Sequence, residues 1–384
     1  MKKVFAVVLA VLMAVSVFAG CKPAEGSGSA VIKVGTSGPL TGDYAVYGVA
    51  VANGLKLAFE EINAMGGLQF ELQTQDDEAD GEKAVNAYNK LMDWGMQIMA
   101  GPTTSGSALA TAAECVNDNV FMLTPSASDA AVIATGDNIF QICFTDPNQG
   151  IGSADYIKTH NLATKIGIIY DSSNPYSAGI YAKFMERADK LGLNVVCKEA
   201  FTDDNKADLS TQVTMCQEAG CDLVFLPIYT AEAAQVLTYA NKIGYSPKFF
   251  GCDGLDGILS VEGFNADLAE GVMLLTPFDA TATDAKTAAF VKNYTEKFGI
   301  TPNQFAADAY DVGYAIYEAC KAGNVTADMS AEETCSIMIA QFTSMSFDGI
   351  TGEGMTWGTD GAVSKEPKAV VIQNGVYVGM DQAE

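Results

Sequence analysis

Two side chains that often carry catalysis or nucleic-acid binding are nearly missing from this sequence. Arg187 is its single arginine and His160 its single histidine. Acidic residues number 47 against 22 basic ones, which gives a formal net charge of −25. Nucleic acid is held by Lys and Arg that neutralise phosphates, so this balance argues against DNA or RNA as a partner. One histidine also excludes a multi-histidine metal site and leaves one candidate for histidine-based acid–base catalysis.

Motifs of several enzyme classes are missing as well. The chain has no C-x-x-C pair, no G-x-G-x-x-G or G-K-[ST] loop after a strand, and no G-x-S-x-G turn before a helix. Zinc ribbons, nucleotide-binding loops and serine hydrolases need these patterns. His160 lies in a polar stretch typical of a helix end. We therefore expect no enzyme activity, no cofactor and no metal. An exported enzyme on an α/β scaffold is the alternative.

The first 20 residues have the pattern of a secretory signal peptide. Lys2 and Lys3 precede an apolar run that is shorter than a membrane-spanning helix, and small residues stand before Cys21. Residues 18–21 (FAGC) also resemble a lipobox, the signal for lipidation in bacterial lipoproteins. This implies a lipid on Cys21, a flexible tether over residues 21–30, and a location on the outer face of the bacterial cell membrane or in the periplasm. Plain secretion with Cys21 unmodified is the alternative.

Cysteines beyond Cys21 number eight, an even count that permits disulfides in an exported protein. Their pairing cannot be deduced from the sequence, and burial of many of them as small hydrophobic side chains is the alternative. The nearest pairs along the chain are Cys216 with Cys221 and Cys320 with Cys335; the others are Cys115, Cys143, Cys197 and Cys252.

Strand-like and helical patterns alternate from Val31 onward. With 384 residues, 49% of them hydrophobic and 18% charged, the chain is long enough for two domains. Alternation of this kind predicts parallel sheets with helices on both faces. A break at residues 146–148 separates two such runs and predicts two doubly wound lobes. The chain ends in a predicted hairpin around residues 374–375 (NG).

Hydroxyl side chains are concentrated in two loops that follow predicted strands, residues 101–107 (GPTTSGS) and 124–129 (TPSASD). Ligands of open α/β sheets bind at the carboxyl ends of strands, where hydroxyls and helix N–H groups can hold a carboxylate. Capping of the next helices is the alternative. A third loop carries an acidic cluster at residues 76–80. A solvated helix N-terminus explains that cluster better than a cation site, because its spacing matches no calcium loop.

Several segments together resemble the substrate-binding lipoproteins of branched-chain amino acid ABC transporters. These segments are residues 37–42 (SGPLTG), 61–64 (EINA), 76–77 (DD), 124–128 (TPSAS) and 305–311 (FAADAYD), in the same order along the mature chain. The resemblance implies the type I periplasmic-binding-protein fold: two doubly wound parallel-sheet lobes joined by a three-strand hinge. It implies a first lobe of residues 31–147 and 278–360, and a second of residues 148–277 and 361–384.

The resemblance also implies a set of ligand-binding residues. In the family, the loop that matches Thr103, Thr104 and Ser105 binds the α-carboxylate, and the position of Asp253, where the family often has Glu, binds the α-ammonium. The remaining matches are a second loop that contacts both groups, two aromatic contacts and two residues that shape the side-chain pocket: Ser126 and Ser128, Tyr176 and Tyr229, Tyr47 and Phe305. Turn formation at Asp253 and Tyr176, and ordinary core packing of Tyr229 and Phe305, are the alternatives.

The function implied is that of a receptor. We expect a monomer that captures a branched-chain amino acid (Leu, Ile or Val) between its lobes and delivers it to the permease of an ABC transporter. With Arg187 predicted on an exposed helix face, the carboxylate has to be bound by hydroxyls and backbone N–H groups. The alternative is a sensory receptor of the same fold for another amino acid, an amide or an aromatic acid.

Overall fold

The computed structural model describes residues 31–380. The predicted signal peptide, Cys21 and the predicted tether lie outside these residues. Within residues 31–380, no helix combines the length and the apolar character that crossing a membrane requires.

Five parallel strands form the sheet of the first lobe, in the order β2-β1-β3-β4-β5. The strands are β1 (Ile32–Gly38), β2 (Phe70–Asp76), β3 (Ile98–Met99), β4 (Phe121–Thr124) and β5 (Ile139–Gln141). They are joined by helices α1 (Ala45–Met65), α2 (Gly81–Trp94), α3 (Ser105–Asn117) and α4 (Ala130–Ile133). Strands β3 to β5 are fully buried, as expected of a parallel sheet covered on both faces.

The second lobe contains a seven-stranded sheet in the order β12-β11-β10-β9-β8-β6-β7. Its strands are β6 (Ile166–Asp171), β7 (Val195–Phe201), β8 (Leu223–Leu226), β9 (Lys248–Gly251), β10 (Met273–Thr276), β11 (Lys368–Gln373) and β12 (Val376–Gly379). The helices that cover it are α5 (Asp146–Thr159), α6 (Pro175–Leu191), α7 (Ser210–Glu218) and α8 (Thr230–Lys242). Strands β11 and β12 form the predicted hairpin, so this edge of the otherwise parallel sheet is antiparallel.

Three further helices return to the first lobe. They are α9 (Ala285–Phe298), α10 (Gln304–Gly323) and α11 (Ala331–Phe342). Helix α10 packs along α1, and Phe342 of α11 contacts Phe121 of β4 with ring centroids 4.9 Å apart. Buried apolar clusters lie on both faces of each sheet. The predicted fold, two α/β lobes with parallel sheets, is confirmed.

Local signals explain where the helices begin and end. Ser330 and Glu333 form a reciprocal capping box at the start of α11, and Gly192 ends α6 with a φ of 65°. Helix α5 differs from the prediction, because a break was expected at residues 146–148. Thr145 caps this helix by accepting from the Asn148 N–H, and Pro147 occupies its first turn, where a proline costs no hydrogen bond. The turn-like sequence therefore starts a helix.

The chain passes between the two sheets three times: between β5 and α5, between β10 and α9, and before β11. Trp357 Nε1 donates to the Gln141 carbonyl at 2.8 Å, and Val363 packs in the core of the first lobe. The lobe limits drawn from the sequence stay predictions. This packing favours a third crossing after residue 363.

The acidic cluster at residues 76–80 accepts hydrogen bonds from the backbone. Asp80 caps α2 by accepting from the Lys83 N–H at 2.9 Å, and Asp76 accepts from the Leu40 N–H at 2.8 Å. These hydrogen bonds support a helix N-terminus over a cation site.

The eight cysteines within residues 31–380 are buried free thiols, so they serve here as small buried side chains.

A buried ion pair connects the third crossing to the first lobe. Lys365 Nζ lies 2.7 Å from Asp308 Oδ1 of α10 and donates to Thr351 Oγ1 at 2.6 Å. The two charged side chains are 1% and 3% exposed. Removing one partner of such a pair leaves an uncompensated buried charge.

Replacing Lys365 by Ala should therefore lower the free energy of unfolding by about 3–5 kcal/mol. Urea titration followed by circular dichroism measures this loss. Lys190→Ala is the matched control, because Lys190 pairs with Glu186 on the surface of α6 with both side chains more than half exposed, and exposed pairs contribute little. Equal unfolding midpoints for the two variants would contradict the assigned role of Lys365.

Candidate ligand-binding site

A pocket lies between the two lobes and gathers eight of the ten predicted ligand-binding residues. The first lobe supplies Tyr47, Thr103, Thr104, Ser126 and Phe305, and the second supplies Tyr176, Tyr229 and Asp253. Gly254 lines it as well, a residue that the sequence analysis did not single out. A Cβ at Gly254 would lie 2.9 Å from the Ile228 carbonyl oxygen, so close packing explains the glycine.

One end of the pocket is the N-terminus of helix α3. Thr104 occupies the N-cap position with extended backbone, and its side chain makes no capping hydrogen bond but donates to Ser107 Oγ at 3.1 Å. The Ser126 hydroxyl donates to the Thr103 carbonyl at 2.6 Å and ties the two predicted loops together. Unpaired N–H groups and the helix dipole make such an end favourable for an anion.

Two predicted residues, Ser105 and Ser128, lie behind the lining of the pocket. Both are buried. Ser105 Oγ accepts from the Asp129 N–H at 3.3 Å, so it ties the first loop to the second. Ser128 Oγ has no hydrogen-bond partner within residues 31–380.

The other end of the pocket is the Asp253 carboxyl group, which follows β9 in a short 3₁₀ turn (Asp253–Leu255). The Tyr176 hydroxyl donates to Asp253 Oδ1 at 2.7 Å, and the Asp253 N–H donates to Gln149 Oε1 at 3.1 Å. Burial raises the pKa of Asp253 to about 7. Asp253 takes part in none of the ion pairs found within residues 31–380. A positive group placed here would favour the charged carboxylate.

Four aromatic rings form the walls between these ends. Tyr176 stacks on Tyr229 with centroids 4.9 Å apart and planes 7° apart, both from the second lobe. Tyr47 meets Phe305 edge to face at 4.8 Å and Tyr229 at 5.2 Å. Such walls suit an apolar ligand side chain.

Direct hydrogen bonds join the lobes around the pocket. The Tyr47 hydroxyl donates to the Gly254 carbonyl at 2.6 Å and accepts from the Thr230 N–H at 2.7 Å. Gln304 Nε2 of α10 donates to the Asp253 carbonyl at 2.8 Å. The two lobes are therefore closed on each other at the site.

A second interlobe contact lies at the rim, and the sequence analysis missed it. The Tyr44 hydroxyl donates to Glu232 Oε1 at 2.7 Å, and Lys206 Nζ donates to the Tyr44 oxygen at 3.1 Å. Burial raises the pKa of Glu232. Tyr44 belongs to the first lobe and its two partners to the second. Glu232 follows Tyr44 by 188 positions along the chain, so no local pattern could reveal the contact.

Arg187 and His160, the single arginine and the single histidine of the chain, do not line the pocket. Arg187 pairs with Asp155 of α5 at 2.7 Å with both side chains more than one third exposed. His160 is exposed at the C-terminus of α5. Both positions agree with the sequence analysis.

The family of the chain follows from comparison with known proteins. A family model for periplasmic binding proteins matches residues 31–375. A Leu/Ile/Val-binding protein homologue from Brucella melitensis is 30% identical over 286 residues, which are 72% of this chain and 76% of that protein. The chain belongs to the periplasmic binding protein family, among the branched-chain amino acid binding proteins.

Solved structures of other family members have the same architecture. The substrate-binding protein LivJ of a branched-chain amino acid transporter from Streptococcus pneumoniae, crystallised with isoleucine, matches this periplasmic binding protein with a TM-score of 0.81 and 26% identity. The match covers 91% of this chain and 99% of that one. A solute-binding protein from R. palustris in complex with benzoate has a TM-score of 0.80 at 20% identity over 91% of this chain and 95% of that one, which shows the shared fold.

The buried carboxyls of this periplasmic binding protein predict a pH-dependent stability. Burial raises the pKa of Asp253 to about 7, and those of Asp77, Asp256 and Asp308 to about 6. The folded protein therefore holds more protons than the unfolded chain from about pH 4 to pH 7, and its stability falls as the pH rises through that window.

The melting temperature of the unliganded protein should accordingly be higher at about pH 5 than at about pH 7.5. Differential scanning calorimetry at constant ionic strength measures the shift. Asp253→Asn should flatten the upper part of the curve, since its amide does not titrate. A melting temperature that rises from pH 5 to pH 7.5 would refute the assignment.

Proposed function

We propose that this protein is an extracytoplasmic receptor that captures a branched-chain amino acid between its lobes and delivers it to an ABC transporter. The observation that carries the proposal is the pocket itself: a helix N-terminus with hydroxyls at Thr103 and Thr104 faces a buried acid, Asp253, across aromatic walls. A free amino acid presents a carboxylate, an ammonium and a side chain, one for each of these surfaces.

The roles of the residues follow from their chemistry. The N-terminus of α3, with Thr104 and the loop through Ser126, holds the carboxylate. Asp253 binds the ammonium, and Tyr176 orients it through the 2.7 Å hydrogen bond to its carboxyl oxygen. Tyr47 and Phe305 contact the aliphatic side chain. Ser105 and Ser128 support the loops from behind.

Named relatives support a branched-chain ligand. The Brucella melitensis homologue is a Leu/Ile/Val-binding protein, and a relative from Pseudomonas aeruginosa, 27% identical over 78% of this chain, is a leucine-, isoleucine-, valine-, threonine- and alanine-binding protein. The structure of LivJ contains isoleucine. The benzoate-bound relative favours the second candidate, an aromatic acid without an amine. A buried acid opposite the anion site argues for a ligand that carries an amine.

The finer parts of the proposal rest on the sequence pattern. Cys21 carries a lipid that holds the receptor at the outer face of the cell membrane, residues 21–30 form the tether, and the receptor works as a monomer without catalytic activity. A signalling partner in place of a permease is the alternative.

Isothermal titration calorimetry at neutral pH tests the ligand. We expect binding of leucine, isoleucine or valine, and no measurable binding of benzoate or of 4-methylpentanoate, which is leucine without its amine. Asp253→Ala should weaken the binding of leucine about thirtyfold or more, since the ammonium loses its charged partner in a buried site.

Asp267→Ala is the control for Asp253→Ala, because Asp267 is an exposed acid of the same lobe. It should bind like the wild type. Near-wild-type binding by Asp253→Ala would remove this residue from the ammonium site. Tight binding of benzoate with no response to the three amino acids would replace the main proposal by the second candidate.

The interlobe contact at the rim predicts a second effect. Tyr44→Phe removes a hydrogen bond to Glu232 that exists only when the lobes are closed. Because ligand binding favours the closed state, the dissociation constant should rise by up to about tenfold, mainly through faster dissociation. Stopped-flow fluorescence measures that rate.

Tyr245→Phe supplies the comparison for Tyr44→Phe. Its hydroxyl donates to the Cys221 carbonyl at 2.9 Å within the second lobe, so it does not report on closure. It should leave the dissociation rate unchanged. Equal rates for the two variants would show that the Tyr44 contact does not stabilise the closed state.

A further inference from the structure

Three cysteine side chains meet in the second lobe, away from the pocket. Cys197 belongs to β7, Cys216 to α7, and Cys221 to the segment between α7 and β8. Cys216 Sγ donates to Cys197 Sγ at 3.6 Å. A hydrogen bond with Cys216 also lowers the pKa of the Cys221 thiol against the larger effect of burial. Cys216 is therefore the central member of a cluster of three thiols.

A glycine in the sheet makes room for this thiol cluster. Gly167 of β6 is the register partner of Cys197 in the neighbouring strand β7. A Cβ at Gly167 would lie 2.9 Å from Cys216 Sγ and 2.9 Å from Cys221 Sγ, which is closer than such atoms pack. The sulfur atoms thus fill the place of a missing side chain, and the sheet holds them close together.

Solvent reaches the thiol cluster from the edge of the sheet. Strand β7 is the last strand of its sheet and pairs with β6. Cys197 on this edge strand is 7% exposed, whereas Cys216 is 0% exposed. A small oxidant in solution therefore meets Cys197 first, and Cys216 is the thiol placed to react with it next.

We infer that Cys197 and Cys216 form an oxidation site, which closes to a disulfide bond when the protein meets a small disulfide as oxidant. Periplasmic binding proteins work outside the cytoplasm, where disulfides form and persist. The two sulfurs have to approach from 3.6 Å to the about 2 Å of an S–S bond. An edge strand held by one neighbour can supply this movement.

The oxidation is a pair of thiol–disulfide exchange steps. The Cys197 thiolate attacks one sulfur of the oxidant, so that a mixed disulfide forms and the first thiol of the oxidant leaves. The Cys216 thiolate then attacks the Cys197 sulfur and displaces the second thiol. In total the two cysteines lose two protons and two electrons, which convert the disulfide of the oxidant to two thiols.

Burial makes these steps slow in the folded protein. It raises the pKa of Cys221 to about 11 and the pKa values of Cys197 and Cys216 above their usual range. Little thiolate is then present at neutral pH. The bond should therefore form mainly during folding, while β7 and α7 come together and their sulfurs are still open to solvent.

The chain that the bond would enclose, residues 198–215, carries a contact at the rim of the pocket. Lys206 Nζ in this segment donates to the Tyr44 oxygen of the first lobe at 3.1 Å. A covalent closure removes open conformations of the enclosed chain, so the oxidised protein should keep this contact for more of the time. This effect on ligand release rests on the proposed function, whereas the disulfide does not.

Refolding in a glutathione buffer tests the disulfide. The reduced, denatured protein is refolded with oxidised and reduced glutathione, and its remaining thiols are alkylated and counted by mass spectrometry. Compared with refolding in a reductant alone, we expect two fewer free thiols, a Cys197–Cys216 link in the peptide map and a melting temperature a few degrees higher. An unchanged thiol count, glutathione adducts without a link, or a link between another pair would overturn the inference.

Cys216→Ala and Cys221→Ala form a matched pair, because each removes one thiol of the cluster. Cys221→Ala should form the same link as the wild type, and Cys216→Ala should have the same melting temperature after refolding in either buffer. Loss of the link in Cys221→Ala, or a wild-type rise in melting temperature in Cys216→Ala, would assign the bond to another pair.

Stopped-flow release of leucine tests the effect on the rim. The oxidised wild type should release leucine about twofold more slowly or more than the reduced wild type, and the difference should shrink in Tyr44→Phe, which removes the acceptor of Lys206. Equal rates in the two redox states would show that the bond does not act on the rim. A protein that binds none of the three amino acids in either state refutes the proposed function and not the disulfide, which the peptide map decides.

Discussion

The closed structure depends on one constraint, a carboxyl group buried between two lobes without a cation from the described part of the chain. Asp253 is surrounded by groups that offset this cost in part. The Tyr176 hydroxyl donates to its carboxyl group, and the hydrogen bonds of Tyr176, the Gln149 side chain and the Gly254 N–H lower the pKa of Asp253 against the larger effect of burial. These groups come from α5, α6 and the turn after β9, so three elements of the second lobe meet at one acid.

Lobe closure and the proposed ligand site share the same loop. Gln304 donates to the Asp253 carbonyl and Tyr47 donates to the Gly254 carbonyl, which ties the first lobe to the loop that carries the acid. A ligand that favours the charged form of Asp253 also favours the arrangement in which these bonds form. The closed state is thus selected through the electrostatics of the site, with the aromatic walls adding contact area.

Much of the fold could be predicted from the sequence because strands buried on both faces and well-capped helices leave local patterns. Strand β5 escaped because it has only three residues, and α5 because its start (DPNQG) is typical of a turn. In the site, the strand-end loops were predictable from composition and position. Asp253, Tyr176, Tyr229 and Phe305 came from family resemblance, since residues that meet across two lobes share no periodicity along the chain.

The scarcity of arginine bears on selectivity. An arginine clamp would bind almost any carboxylate strongly, whereas the proposed anion site, made of hydroxyls and the N-terminus of α3, would bind it more weakly. An acid without an amine would then gain little at that end and would bring its negative charge toward Asp253. A zwitterion instead satisfies both ends at once, so neither end binds tightly without the other. With the proposed roles, a preference for amino acids would therefore arise from an anion site that is too weak to work alone.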